Sequence, residues 1–388
     1  MSPTPVTYVS PTKPASYSWE ATDEEVAARY GVPIESIVRF DLNTSPEPPG
    51  LVRELLARGR FETSLSEYPP SDYRRLAEAA AGVYGVGTDE LLVGAGADEI
   101  LDLIGKAFLP PGGTAVIPIP SYAMYRVVTE QRPATVVAVD RRPAADGWAI
   151  DVEAVRRAAA AADVVWLCSP NNPTALAEPA GASATLLEGV AADAAAAGRR
   201  PPIVVVDEAY AEFTGETLLP LRRGNPNLVI VRTASKAYAL AGLRVGFAIA
   251  RSETIAEIAP YRPPGSVSTV SVTAVTEALR DGAAMRANVA RVARERDRLA
   301  AGLVDAGWQV GPSVANFLLA GFGSAERAEA TATALLRLGI VPRTFGAGHP
   351  LAAFLRVTIR DTAENDRLIA AARAIRDAEA TAAAEAVR

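Results

Sequence analysis

The stretch IVVVDEAY at residues 203–210 decides the fold, because four consecutive apolar residues end directly at two carboxylates. A segment that is apolar at every position is typical of a strand buried on both faces of a parallel sheet. Similar runs at residues 164–167 and 228–231 flank it, and helical patterns lie between them. Strands that alternate with helices in this way predict an α/β fold with a mainly parallel central sheet.

The same pattern extends over the middle of the chain. The predicted strands are residues 91–93, 114–117, 135–139, 164–167, 203–206, 228–231 and 245–250. Thr22 followed by Glu25 predicts the start of a helix near the N-terminus, and a breaker at residues 263–265 precedes a long helical stretch over 273–304. We therefore predict a large α/β domain over residues 50–265 and a smaller α+β domain formed by residues 1–49 and 266–388.

Composition and charge disfavour several classes of partner and of catalytic site. The 388 residues carry a net charge of −6 without a dense Lys/Arg run, which disfavours nucleic acid and anionic membranes as partners. The apolar runs are far shorter than the roughly 20 residues that span a bilayer, and residues 1–14 lack the apolar core of a signal peptide. One cysteine, Cys168, and one histidine, His349, disfavour a disulfide, a His/Cys metal site and a Ser-His triad. We therefore expect a cytoplasmic protein.

Lysine is rare in this chain, since arginine supplies nearly all of its cations. The three lysines are Lys13, Lys106 and Lys236. Arginine cannot replace lysine where a neutral amine must attack a carbonyl group, because guanidinium stays protonated. Lys13 lies in a Pro-rich tail and Lys106 late in a helical pattern, so chance explains both.

Lys236 follows the predicted strand 228–231 and lies among small and hydroxyl residues. A lysine in such a site can have a lowered pKa and form an imine. Thr233, Ser235 and Arg244, eight positions further on, could bind a phosphate group beside it. The segment is therefore a candidate catalytic site.

Other polar residues follow the other strands, and ligands of open α/β sheets bind at the carboxyl ends of strands. Gly96 with Ala97 and Asp98 opens a helix whose free N–H groups could bind phosphate, although an ordinary tight turn also explains this loop. Tyr122 could stack on a flat ring or simply pack. Asn172 lies in a loop between prolines that is also compatible with a turn.

Asp207 directly follows an all-apolar strand, where a carboxylate is costly without a cationic partner. A protonated pyridine nitrogen is such a partner, and a helix cap is the alternative. Five features thus follow predicted strands, in the order of a phosphate loop, an aromatic residue, an Asn loop, Asp-x-x-Tyr and Ser-Lys with a trailing Arg. That all five occur in these positions by chance is improbable.

In this order the motifs resemble the fold-type I aminotransferases of classes I and II, which depend on pyridoxal 5′-phosphate (PLP), and most of all the histidinol-phosphate aminotransferase family. The likeness runs from about Thr22 to about Asn365. It includes the stretches FDLNTSP at 40–46, EYP at 67–69, GADE at 96–99, PSYAMY at 120–125, NNPT at 171–174, DEAY at 207–210, SKA at 235–237, GLRVG at 242–246 and LRVT at 355–358.

The resemblance implies a role for each matching residue at the cofactor. Lys236 would carry PLP as a Schiff base and move the substrate proton, and Asp207 would pair with the pyridinium nitrogen. Asn172 and Tyr210 would hydrogen-bond the ring hydroxyl oxygen, and Tyr122 would stack on the ring. The phosphate would be bound by the backbone of Ala97 and Asp98 and by Thr233, Ser235 and Arg244.

The resemblance also implies substrate contacts and a homodimer. Arg356 would bind the acidic group of the substrate, Arg343 would help to hold a substrate phosphate, and Asn43 would border the substrate. Tyr68 would reach the phosphate in the neighbouring subunit, so that the two subunits share their active sites.

Three departures from the family pattern leave the substrate open. Thr44 and Ser45 stand where the family usually has Glu and Asn, Ala175 replaces a glycine, and Arg360 is a large cation where a glycine is usual. These changes cluster near the expected substrate contacts. His349 lies between the two substrate arginines, and we expect it to be solvated.

The predicted activity is amino transfer from histidinol phosphate or a related amino acid to a 2-oxo acid such as 2-oxoglutarate. One alternative is a PLP lyase, since threonine-phosphate decarboxylase looks similar, and another is a PLP oxidase. A PLP-binding regulator fused to a DNA-binding domain is disfavoured, because only about 40 residues precede the first motif.

Overall fold

The computed structural model describes residues 16–386, so Lys13 and the rest of residues 1–15 lie outside the described part. The strands are β1 (Val38–Arg39), β2 (Leu91–Gly94), β3 (Thr114–Ile119), β4 (Thr135–Asp140), β5 (Val164–Cys168), β6 (Ile203–Asp207), β7 (Leu228–Thr233), β8 (Gly246–Ile249), β9 (Gln309–Val310), β10 (Phe317–Gly321), β11 (Ile340–Val341) and β12 (Phe354–Thr358).

Helices alternate with these strands along the chain. They are α1 (Asp23–Tyr30), α2 (Gly50–Arg58), α3 (Arg74–Tyr84), α4 (Gly96–Phe108), α5 (Met124–Gln131), α6 (Val152–Ala159), α7 (Ala182–Ala196), α8 (Ser252–Ile258), α9 (Thr269–Asp281), α10 (Ala283–Asp305), α11 (Ala325–Leu336) and α12 (Thr362–Ala386). Among residues 16–386, no helix is long and apolar enough to cross a bilayer.

The central sheet has the strand order β2-β8-β7-β6-β5-β3-β4. The pairs from β4 to β7 are parallel, whereas β8 is antiparallel to both β7 and β2. The predicted α/β fold with a mainly parallel sheet is therefore confirmed, as is the presence of each of its predicted strands.

The sheet is buried on both faces. Successive residues of a strand point to opposite faces, and in β6 Val204 and Val206 enter one apolar core while Ile203 and Val205 enter the other. This explains why an all-apolar run is needed: either face would otherwise bury a polar group without a partner.

A separate core forms around the antiparallel sheet β12-β10-β9, with β1 and β11 paired beside it. Val38 and Phe40 pack there with Leu299, Leu318 and other residues of the C-terminal part. This packing supports the proposed joining of residues 1–49 with residues 266–388. Helix α9, however, packs on α3 in the core of the large sheet.

Two helix predictions have different outcomes. The capping box is confirmed, because the Glu25 N–H donates to Thr22 Oγ1 at 3.2 Å and the Thr22 N–H to Glu25 Oε2 at 2.8 Å. The single helix over 273–304 is wrong. Gly282, with φ +60°, ends α9 in the left-handed conformation that glycine favours, and α10 begins at the next residue.

The start of α4 lies against β8 at a contact that only glycine permits. A Cβ atom added to Gly246 would lie 2.4 Å from the carbonyl carbon of Gly96 and 2.5 Å from the amide nitrogen of Ala97. The missing side chain therefore brings the N-terminus of α4 next to the segment that follows β7.

We expect Gly246→Ala to lower the free energy of unfolding by about 1–3 kcal/mol, because backbone atoms must move to admit the methyl group. Urea denaturation measures this change. Gly242→Ala is the matched control, since its Cβ would meet no described atom within 4 Å. Equal losses in the two variants would contradict the close-contact explanation.

Candidate active site

The predicted site residues meet in one cavity of about 550 Å³ at the carboxyl ends of β5, β6 and β7. All of them line it except Tyr68. The predicted lining residues are Asn43, Ala97, Asp98, Tyr122, Asn172, Asp207, Tyr210, Thr233, Ser235, Lys236, Arg244, Arg343 and Arg356.

Lys236 follows β7, and its side chain projects into the cavity. Its Nζ lies 3.4 Å from the carbonyl oxygen of Leu42 and 5.8 Å from the centroid of the Tyr210 ring. Burial, helped by the positive charge of Arg356, lowers the pKa of Lys236 to about 8. A substantial fraction of this amine is therefore neutral near physiological pH, as a nucleophile requires.

Asp207 ends β6 and is only 3% exposed. Tyr125 donates its hydroxyl to Asp207 Oδ2 at 2.9 Å, and the backbone N–H of Ala209 donates to Oδ1 at 3.0 Å. Burial nevertheless raises the pKa of Asp207 to about 6. A cationic partner in the cavity would therefore be stabilised strongly by this carboxylate.

Tyr125 was not assigned a role from the sequence. Its ring stacks on Trp166 with centroids 5.7 Å apart and an interplanar angle of 2°, which fixes the hydroxyl toward Asp207. Tyr125 lies in the stretch after β3 that also contains Tyr122. Nothing in that stretch indicates that the hydroxyl of Tyr125 reaches Asp207 on β6, which is two strands away in the sheet.

The start of α4 forms another wall. Arg244 Nη2 and the Tyr122 hydroxyl each donate to a carboxylate oxygen of Asp98 at 3.0 Å. On the neighbouring loop the Thr233 hydroxyl donates to Ser235 Oγ at 2.9 Å. A helix N-terminus, two hydroxyl groups and a guanidinium thus converge, as in sites that bind phosphate.

Arg356 lies on the opposite wall. Its Nη1 donates to Asn172 Oδ1 at 2.6 Å and its Nη2 to the carbonyl oxygen of Asp41, while Nε has no hydrogen-bond partner among residues 16–386. Asn43, at φ +52°, donates from Nδ2 to the Tyr210 hydroxyl at 3.1 Å. Arg356 therefore borders the cavity, and its hydrogen bonds go to neutral oxygens.

Tyr17 and Trp19 also line the cavity, although residues 1–20 were predicted only to be irregular. The guanidinium of Arg343 lies 5.4 Å from the centroid of the Tyr17 ring and donates to the carbonyl oxygen of Ser18 at 2.8 Å. No local pattern could reveal this contact, because more than 300 residues separate its two sides.

Several residues named in the sequence analysis do not line this cavity, among them Ser45 and Ala175. Tyr68 is 89% exposed. Arg360 pairs with Glu364 at 3.0 Å and does not line the described cavity, so the expected clustering of the departures at substrate contacts is wrong for this residue. His349, expected to be solvated, is half-buried: its Nδ1 accepts the N–H of Leu351 at 3.0 Å and its ring stacks on Phe345.

The family model for aminotransferases of class I and II matches residues 43–371. The chain belongs to this family. It is 35% identical to the histidinol-phosphate aminotransferase of Roseiflexus castenholzii, over 89% of this chain and 91% of that protein. It is also 35% identical to the enzyme of that name from Thermococcus gammatolerans, over 88% and 93%.

A solved structure shares the fold of this aminotransferase. It is histidinol-phosphate aminotransferase from Sinorhizobium meliloti in complex with pyridoxal 5′-phosphate, with a TM-score of 0.83 and 24% identity over 93% of this chain and 96% of that one. The chain is a PLP-dependent aminotransferase that acts on a small-molecule amino donor and a 2-oxo acid. The lyase and oxidase alternatives are not favoured.

The cavity of this aminotransferase fits PLP. A nucleophilic amine matches the aldehyde, a buried carboxylate matches the ring nitrogen, and the start of α4 with Arg244 matches the phosphate. Gly96 lets the Arg244 guanidinium lie against the start of α4, because a Cβ there would lie 2.4 Å from Arg244 Nη2.

We expect the rate at which the cofactor-free protein takes up PLP to rise with pH, with a midpoint near 8. The neutral amine attacks the aldehyde, and its fraction increases as the pH passes the lowered pKa of Lys236, about 8. Stopped-flow absorbance measures the rate. Arg356→Gln removes a charge that lowers this pKa, so its midpoint should be higher. A flat profile through this range would contradict the assignment.

Proposed function

We propose that this aminotransferase moves the amino group of an anionic amine to a 2-oxo acid, such as 2-oxoglutarate, in the cavity around Lys236. One observation carries the proposal: a lysine of lowered pKa, a buried carboxylate and an arginine with neutral hydrogen-bond partners border the same cavity. These are an attachment point, a partner for a ring cation and an anchor for an acidic substrate.

PLP, when bound, supplies an electron sink for the bonds at the substrate carbon that carries the amine. In our proposal Lys236 would hold the cofactor, and its Nζ, once the substrate amine has displaced it, would take and return the substrate proton. Asp207, held by Tyr125, pairs with the ring nitrogen. Tyr122 stacks on the ring, and Asn172 and Tyr210 bind its hydroxyl oxygen. The phosphate is bound by the N–H groups of Ala97 and Asp98 and by Thr233, Ser235 and Arg244.

The substrate contacts are proposed on the wall that Arg356 forms. Arg356 anchors the acidic group through its guanidinium, which borders the cavity and whose hydrogen bonds go to neutral oxygens. Arg343 and Asn43 border the remainder of the substrate. The relatives' names point to histidinol phosphate as a donor, and an amino acid presents a carboxylate to the same arginine.

We also propose a homodimer in the cytoplasm, with Tyr68 reaching the cofactor phosphate of the partner. The exposure of Tyr68 supports this, because a side chain that is 89% exposed and next to Leu65, 66% exposed, is typical of a surface covered by another subunit. Leu51 and Leu56 of α2 are exposed as well. The single buried thiol of Cys168 agrees with a reducing compartment.

A half-reaction tests the activity. The PLP-loaded protein, mixed with histidinol phosphate or with single amino acids and no acceptor, should yield stoichiometric pyridoxamine phosphate by mass spectrometry. Lys236→Ala should reduce the yield to background, because no amine remains to attach the cofactor or move the proton. Lys106→Ala is the control, since that lysine pairs with Asp102 on α4. Consumption of the donor with PLP unchanged would refute amino transfer.

Mixed dimers test the shared site. Tyr68→Ala and Lys236→Ala chains should each be impaired, but co-expressed chains should regain up to about a quarter of wild-type activity. One of the two sites in a mixed dimer then has both native residues. Activity no higher than the mean of the two variants, in a preparation shown to contain mixed dimers, would place Tyr68 in its own chain's site or outside any site.

A further inference from the structure

The segment of residues 17–20, here called the strap, lies over the cavity. Tyr17 and Trp19 pack edge to face with ring centroids 4.8 Å apart, and Tyr17 lies 6.2 Å from Tyr122. The carbonyl oxygen of Ser18 accepts from Arg343. The strap therefore forms part of the wall against which the side chain of a substrate must lie.

Glu20, at the end of the strap, is held in place by Thr344. Its Oε1 accepts the backbone N–H of Thr344 at 2.8 Å and the Thr344 hydroxyl at 2.9 Å. The same oxygen lies 3.5 Å from Arg343 Nη1, and each of the two charged side chains is only 16% exposed. The carboxylate thus sits close to this guanidinium in a partly desolvated position, where charges interact more strongly than in water.

Two of the three arginines that line the cavity, Arg343 and Arg356, therefore differ in whether a carboxylate neutralises them. Arg343 has the carboxylate of Glu20 beside it. Arg356 instead donates to the side-chain oxygen of Asn172 and to the backbone carbonyl oxygen of Asp41, which are both neutral. The Asp41 carboxylate is itself paired with Arg39 at 2.6 Å. One uncompensated cation remains on this wall.

Part of the cavity lining is aromatic and apolar. Tyr17, Trp19, Tyr122 and Met124 line the cavity on the strap side. Trp19 is 71% exposed, although its ring borders the cavity. Such a surface favours a flat, apolar group that would cover the exposed indole.

We infer that Glu20 determines donor specificity by neutralising Arg343. The preferred donor is an amino acid with one anionic group, its carboxylate at Arg356, and an apolar or aromatic side chain against Tyr17 and Trp19. A donor with a phosphate ester would bring two negative charges next to Glu20, and like charges at a contact select against such a ligand. This inference rests on the proposed function and specifies its substrate class.

The test compares kcat/KM of the PLP-loaded enzyme for phenylalanine and for histidinol phosphate in the half-reaction. The wild type should prefer phenylalanine, and Glu20→Gln should lower this preference by about tenfold. Glu24→Gln is the matched control, because it removes the same charge from an exposed position of α1 and should leave the preference unaltered. Thr344→Val, which removes one hydrogen bond to Glu20, should act in the same direction as Glu20→Gln but less strongly.

A binding measurement separates specificity from turnover. Isothermal titration of phenyl phosphate, which has no amine, should give a Kd about tenfold lower for Glu20→Gln than for the wild type. Unaltered Kd and unaltered preference in a folded Glu20→Gln protein, or a wild type that prefers histidinol phosphate, would overturn the inference while leaving amino transfer intact. Absence of pyridoxamine phosphate with every donor would instead refute the proposed function.

Discussion

The parallel pairing of β5, β6 and β7 is the constraint on which the rest of the structure depends. Its register places Cys168, Asp207 and Val231 side by side at the carboxyl edge of the sheet. Both faces of these strands are packed, so the carboxylate of Asp207 cannot turn toward bulk water. Its burial raises its pKa and makes a cationic partner in the cavity energetically favourable. The same edge positions the lysine loop, so that nucleophile and carboxylate face one space.

The charged side chains of the cavity come from elements of both cores. Lys236 is made nucleophilic by desolvation and by Arg356, a residue of β12 that belongs to the other core. Joining the two cores across the cavity therefore places Arg356 where its charge lowers the pKa of the lysine. In our proposal the cofactor lies toward the large sheet and the substrate toward β12, Arg343 and the strap. Under this proposal, a change in the strap alters substrate preference and leaves the cofactor contacts in place.

Much of the fold and the cofactor site could be predicted from sequence because their signals are local. An all-apolar strand, the polar residues immediately after it and the Ser-Lys segment lie within short stretches of chain. Tyr125 and Glu20 could not be assigned in this way. Tyr125 meets Asp207 across 82 residues and Glu20 meets Thr344 across 324, so only packing shows that they interact. The break at Gly282 was missed because a single residue separates α9 from α10.

The amino-acid sequence by itself determined the strands of the central sheet, its mainly parallel pairing and most of the residues that line the cavity. Burial of apolar runs and the position of ligands at strand ends follow from short-range patterns. Tertiary structure alone decided which cation of the substrate wall is neutralised: Arg343 lies beside Glu20, whereas Arg356 donates to neutral oxygens. The physical reason is that an electrostatic interaction depends on distance and local solvation, and residues far apart in the chain acquire both only when it folds.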